Sequence, residues 1–361
     1  MRFLLTETVE GYMQEILEGL DFSSLDNFLN EHMRGKMGFE ELISLIATDG
    51  LGALNKENIC TFFFDTLFYE LSVAQPIFMK MLLFSVLFSV LQRLLATKNR
   101  YISDMGFLLI YATLMVLLMQ SFFMVKDIAI EGMGILTSFL NALIPVFGAV
   151  LVFTGNGVSG AFFYEVAFVL IYLMETVLKH ILIPIIHMFV LVLFMNHLFD
   201  EDKLSKFANL MEKGVKFLLK ASFGGIIGLG VVQALLTPAK DRIAGNMLLQ
   251  GLSAIPGVGN RIGSVGEIIL SCGMLIKNSI GVAALILLIF IAGIPVIKIS
   301  IFWLFYHLLA AVLQPLADKR ITECVTAVGR GCDLYLKIIV YSMLLFFILI
   351  SMVGAVTSFI Y

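Results

Sequence analysis

Charge is what this sequence has least of. Only 14% of its 361 residues are Asp, Glu, Lys or Arg, while 60% are hydrophobic. A soluble domain is nearer a quarter charged. A soluble chain of this size could not cover its surface with so few charges, and a mean hydropathy of +0.98 points to a membrane protein. Cysteine is scarce: Cys60, Cys272, Cys324 and Cys332 form no CxxC pair and have no His at metal-ligand spacing. That leaves them as small apolar packing residues, with no metal site and no cofactor implied. No glycine loop of the Walker type, no HExxH and no Ser or Cys nucleophile motif occurs, so nothing marks the chain as an enzyme. An ATPase, if one is needed, must be another chain. The bases are scattered at segment ends and form no stripe, which argues against nucleic acid as a partner.

What charge there is falls unevenly. Residues 1–76 carry 13 acids and 4 bases, and the remainder carries 14 acids and 20 bases. Residues 1–75 read as an acidic, extramembrane region of short amphipathic helices, with Ile16, Leu17 and Leu20 on one face and Leu42, Leu45 and Ile46 on another. This region is either a cap on the membrane domain or a docking surface. The N-terminus lacks the apolar run of a signal peptide, so the chain enters the membrane without one or follows a removed leader.

Residues 76–361 read as a multi-pass membrane domain. Apolar spans fall at 77–96, 102–124, 161–178, 181–198, 221–237, 281–298 and 338–360, with 135–153 and 301–316 undecided. Residues 127–142 look amphipathic, and 240–276 read as a re-entrant or interfacial hairpin. The expected architecture is all-α: a polytopic α-helical membrane protein of 7–9 apolar segments. Arg93, Lys98 and Arg100 place the first loop in the cytoplasm, and the lysines of 200–220 place that loop there too.

Proline is rare, at seven residues, yet four of the seven stand in Ile-Pro pairs at Pro145, Pro184, Pro256 and Pro295. Both later pairs follow the earlier ones at an offset of 111 residues. Proline removes a backbone hydrogen bond and kinks or breaks a helix, so these pairs predict broken helices in an internal repeat, 134–198 against 245–309. Eleven of 65 positions match, which is modest, but both prolines and three glycines are among them. Gly148, Gly257, Gly259 and Pro315 extend the set of backbone-shaping positions. Gly224 and Gly228 form a GxxxG face suited to close helix packing or to lining a pore.

Ionisable residues also fall inside apolar sequence. Glu165, Glu175, Lys179, His180 and His187 lie within 161–198. Such groups must pair or line a wet cavity. Glu175 and Lys179 are i, i+4, and His180 and His187 share a face if the helix is continuous. One reading is a proton or ion relay; the other, favoured, is an extramembrane turn at 178–182 that leaves these groups among lipid headgroups.

The runs Ile255-Pro256-Gly257-Val258-Gly259-Asn260-Arg261, Leu275-Ile276-Lys277-Asn278, Ile294-Pro295-Val296-Ile297-Lys298 and Gln314-Pro315-Leu316-Ala317-Asp318 together resemble the stage III sporulation protein AE family. Leu143-Ile144-Pro145 and Ser159-Gly160-Ala161-Phe162-Phe163 match more loosely. The resemblance implies a subunit of a channel or feeding complex, made in the mother cell of an endospore-forming bacterium. That complex would sit in the membrane around the forespore, with other membrane subunits, a separate ATPase and a forespore-made partner. The residues alone leave open a secondary transporter of a small solute and a non-conducting scaffold.

Overall fold

The computed structural model describes residues 17, 19–33, 39–40, 43–44, 46, 56–95, 100–153, 158–198, 203–228 and 259–355. Among them the regular structure is entirely helical. The elements are α1 (Ser23–Met33), α2 (Lys56–Leu95), α3 (Arg100–Phe153), α4 (Val158–Val177), α5 (Ile183–Leu198), α6 (205–228), α7 (Gly259–Leu313) and α8 (Lys319–Ala355). A π-helical turn, Leu178–Leu182, joins α4 to α5 without a break.

Five described segments are long and apolar enough to cross a membrane: Cys60–Leu91, Met105–Val150, Phe168–Leu198, Asn278–Leu313 and Lys319–Ser351. The separate stretches 102–124 and 135–153 lie on the single helix α3, and 281–298 and 301–316 on the single helix α7. The expected breaks at Pro145 and Pro295 are therefore absent; both prolines lie inside continuous helix, as does Pro76 in α2. The lost hydrogen bond is tolerable where packed neighbours hold both halves in line. The expected turn at 178–182 is likewise absent. Its place is taken by the π-helical turn, which ends where the Ile183 N–H bonds to the Leu178 carbonyl. Pro184 follows directly. Its ring would clash with a carbonyl four residues back in tight α-helix, and the wider turn makes room.

Contacts fix the directions of the helices. Tyr306 on α7 meets Ser121 on α3, and Pro295 meets Gly132, so α3 and α7 run antiparallel. Tyr111 meets Cys324 and Phe122 meets Tyr335, so α8 runs parallel to α3. Phe62 meets Phe290 and Phe78 meets Phe305, so α2 runs parallel to α7. His187 meets Tyr335 and His197 meets Glu323, so α5 runs antiparallel to α8. One end of the bundle therefore gathers Leu95, Arg100, Leu198, Leu313 and Lys319. Arg93 near the end of α2, Arg100 at the start of α3, and Lys319 and Arg320 at the start of α8 make that end basic.

That end is well built. The Asp318 carboxylate accepts a hydrogen bond from the Arg320 N–H at 2.8 Å and caps α8. Ser89 of α2 donates to the Leu316 carbonyl at 2.6 Å, which ties the α7–α8 turn to α2. The Arg320 guanidinium lies 4.0 Å from the centre of the Phe107 ring. At the opposite end α1 rests on the second half of α3, with Phe28 and Phe139 rings 5.5 Å apart. Asp21 accepts hydrogen bonds from the N–H and hydroxyl of Ser23 at the start of α1. Those two bonds hold the exposed Asp21 carboxyl below its usual range. Asp26 accepts one from the Phe39 N–H at 2.8 Å and pins the following segment.

Candidate functional site

The helices are too long for one bilayer. A 54-residue α3 extends about 80 Å at 1.5 Å per residue, against a hydrocarbon core of about 30 Å. The surplus has a pattern. Apolar lengths of α3 lie on either side of Lys126, Asp127 and Glu131, and the contacts of α3 bring the charges of its neighbours to the same level. Phe122 packs on His187 and Tyr335, and Gly132 on Pro295 and Ile339. Around those contacts stand Lys298, paired with Glu70 of α2 at 3.4 Å, and the α8 pair Asp333 and Lys337. Lys126 and Asp127 are 3.1 Å apart. A polar layer thus crosses the bundle between two apolar layers.

A groove opens at this layer between α3 and α7. Glu131, Gly132, Pro295 and Lys298 line it, with Ile128, Ile135, Ile291 and Ile294 as its apolar walls. Pro295 is buried, and the helices come together here because Gly132 has no side chain. A Cβ on Gly132 would lie 2.8 Å from the Pro295 Cβ. Gly331 plays the same part between α8, α3 and α5, where a Cβ would lie 2.6 Å from both Phe122 and Val190.

The polar groups among 161–198 are sorted by the π-helical turn. Glu175 is buried at 5% exposure. Its partner is the Thr137 hydroxyl on α3, which donates to Oε1 at 2.5 Å, and its Oε2 has no partner. Lys179 makes no ion pair with it among the described residues, because the turn begins at Leu178 and shifts the register between them. The same shift separates His180 from His187. His180 is exposed, whereas His187 turns inward, its Nδ1 3.2 Å from the Tyr335 hydroxyl and its ring stacked on Phe123. Its Nε2 is buried without a partner. Glu165 is exposed. So Glu175 and His187 face the core, and Glu165 and His180 do not.

The backbone-shaping positions divide too. Pro145, Pro184 and Pro315 are exposed, and only Pro295 is a buried contact among the described prolines of the set. The two prolines paired by the 111-residue offset differ locally: Pro184 follows the π-helical turn, and Pro295 stands in unbroken α-helix. Gly148, Gly224 and Gly228 have open space where a Cβ would be, so the GxxxG face is not a packing contact among the described residues. Gly259 opens α7. Pro256, Gly257 and the hairpin around them lie outside the described residues.

Sequence reasoning missed the main partners: Thr137 for Glu175, Glu70 for Lys298, Gly132 for Pro295, and Ser121 for Tyr306, whose hydroxyl donates at 2.6 Å. Hydrophobic spacing on α3 was the available signal, since Tyr111, Leu118, Phe122, Val125, Ala129, Met133, Leu136 and Leu140 form one buried stripe. Along the bundle interior Phe122, Phe189, Tyr306, Tyr335 and Phe346 are each at most 1% exposed, and they fill the space between helices with side chains.

The family model of stage III sporulation protein AE matches residues 37–357. The stage III sporulation protein AE of Bacillus subtilis (strain 168) is 24% identical over 355 residues, covering 96% of this chain and 88% of that protein. No solved structure matches the chain.

Proposed function

The chain belongs to the stage III sporulation protein AE family, and from that premise we propose that it is a multi-pass membrane subunit of a channel or secretion-like complex in endospore development. The complex lies in the mother-cell membrane around the forespore. Its further parts are other membrane subunits, a separate ATPase and a forespore-made partner. The basic end of the bundle faces the cytoplasm, by the positive-inside rule, and α1 and the acidic region face the other side. The observation that carries the reading as a subunit is the filled interior. Aromatic side chains from α3, α5, α7 and α8 occupy the axis, so a conduit is built between chains and not through this one.

A second reading, a secondary transporter of a small solute, is favoured by two buried polar atoms without partners, Glu175 Oε2 and His187 Nε2. Deletion of the gene in an endospore-forming host tests the first reading. The expected outcome is arrested forespore development, rescue by the intact gene, and a fluorescent fusion concentrated in the membrane around the forespore. Normal spore yield after deletion overturns it.

A further inference from the structure

Helix α6 carries two apolar stripes, and the described residues of its own chain cover only one. Ala208, Val215, Leu219, Ser222 and Ile226 are buried, at successive steps of seven, four, three and four residues. On that side Glu212 is hydrogen-bonded to Arg330 of α8, and Phe223 meets Tyr341 edge-on. These contacts set α6 parallel to α8, along the bundle and not across its surface. The second stripe is Phe207, Leu210, Gly214, Phe217, Ala221, Gly224 and Gly228, a strict alternation of three- and four-residue steps over three heptads. Phe207 is 52% exposed, Leu210 65% and Phe217 69%, and nothing lies within 4 Å of a Cβ built on Gly214, Gly224 or Gly228. Lys206, Lys213 and Lys220 flank the stripe at seven-residue intervals; all three are exposed and none is in an ion pair among the described residues.

Neither lipid nor water suits this face. Lipid would strand three ammonium groups, and water would leave two phenylalanines and a leucine uncovered on a helix rich in charge. Snorkelling to one headgroup plane does not resolve it, because the three lysines are spread over about 21 Å of helix axis. A second copy of the chain fits poorly. In a parallel pairing the lysines would face Met211, Leu218 and Gly225, and in an antiparallel one they would face each other. A helix with apolar residues at heptad spacing and acids beside them satisfies both halves: it covers the Phe-Leu-Gly seam and pairs the lysines. The small residues at the far end of the seam allow close approach of backbones.

We propose that the exposed face of α6, from Phe207 to Gly228, is the docking seam for an acidic amphipathic helix of a different protein chain. It deepens the subunit reading above and rests on it. The test is a photoreactive benzoylphenylalanine in place of Phe217 in the full-length protein, irradiated in sporulating cells. The expected adduct joins a different chain through a peptide with Asp or Glu at seven-residue spacing. K206E/K213E/K220E lowers its yield at least tenfold at equal protein level in the membrane, while K206R/K213R/K220R keeps it. An adduct with a second copy, an adduct with lipid alone, no adduct, or an adduct unchanged by charge reversal overturns the seam. Spore yield separates the two claims. If the deletion blocks sporulation and the charge-reversed chain supports it fully, only the seam fails.

Discussion

Replacing Gly132 with Ala tests a close approach between α3 and α7. The intrinsic effect of Gly→Ala inside a helix is a gain of about 1 kcal/mol. At Gly132 the new methyl would stand 2.8 Å from the Pro295 Cβ and 3.0 Å from its Cγ. Ordinary carbon contacts lie near 3.5–4.0 Å, so the overlap is roughly 1 Å against a ring that has no rotamer to escape into. Overpacking of this kind costs about 1–3 kcal/mol. Gly148 lies on the same helix with open space at its Cβ position, so Gly148→Ala keeps the propensity gain and has no clash. The two variants should therefore differ by about 1–3 kcal/mol, Gly148→Ala being the more stable. Thermal denaturation of both in the same detergent reads this difference directly. Equal shifts for the two would refute the close approach of α3 to Pro295, and with it the arrangement of the groove.

Gly331→Ala should destabilise more than Gly132→Ala, since its methyl would meet Phe122 and Val190 together; a melting temperature at or above that of Gly132→Ala contradicts this. Thr137→Val should cost about 1–3 kcal/mol, because it leaves both oxygens of the buried Glu175 without a donor; unchanged stability would show that Glu175 has another partner. Burial alone would raise the Glu212 carboxyl, but hydrogen bonds from Lys216 and Arg330 outweigh it and hold it below the usual range. The stabilisation it gives is complete above its unfolded value of about 4.3 and is lost as pH falls through the lower folded value. The stability gap between wild type and Glu212→Gln should stay constant from neutral pH to about 5 and close in stronger acid; a gap that closes already between pH 7 and 5 contradicts the depressed carboxyl.

The helical membrane character was legible because it depends on composition alone. Helix boundaries were less so. Proline reads as a break in an isolated helix, yet α3 and α7 pass through Pro145 and Pro295 because packing against neighbours holds the two halves together. Glycine was legible as a mark of close approach, but not which glycine: Gly224 and Gly228 carry the motif and face open space, while Gly132 and Gly331 carry none and sit at close contacts. Periodicity within one helix cannot say which face meets another. The ionisable residues of 161–198 were visible as a group, and the π-helical turn that divides them was not, since one added residue per turn leaves no mark in composition. Partners far apart in sequence, such as Glu70 for Lys298 and Thr137 for Glu175, follow only from the antiparallel and parallel directions of whole helices.

The central claim is that this chain works as one part of a larger assembly and moves nothing alone. Reconstituting the purified full-length protein in lipid vesicles and measuring proton and small-solute flux tests it most directly. Flux no greater than in empty vesicles is expected, with other membrane proteins made during sporulation co-purifying from sporulating cells. Flux through the chain alone, abolished by Glu175→Gln at unchanged protein content, would contradict it.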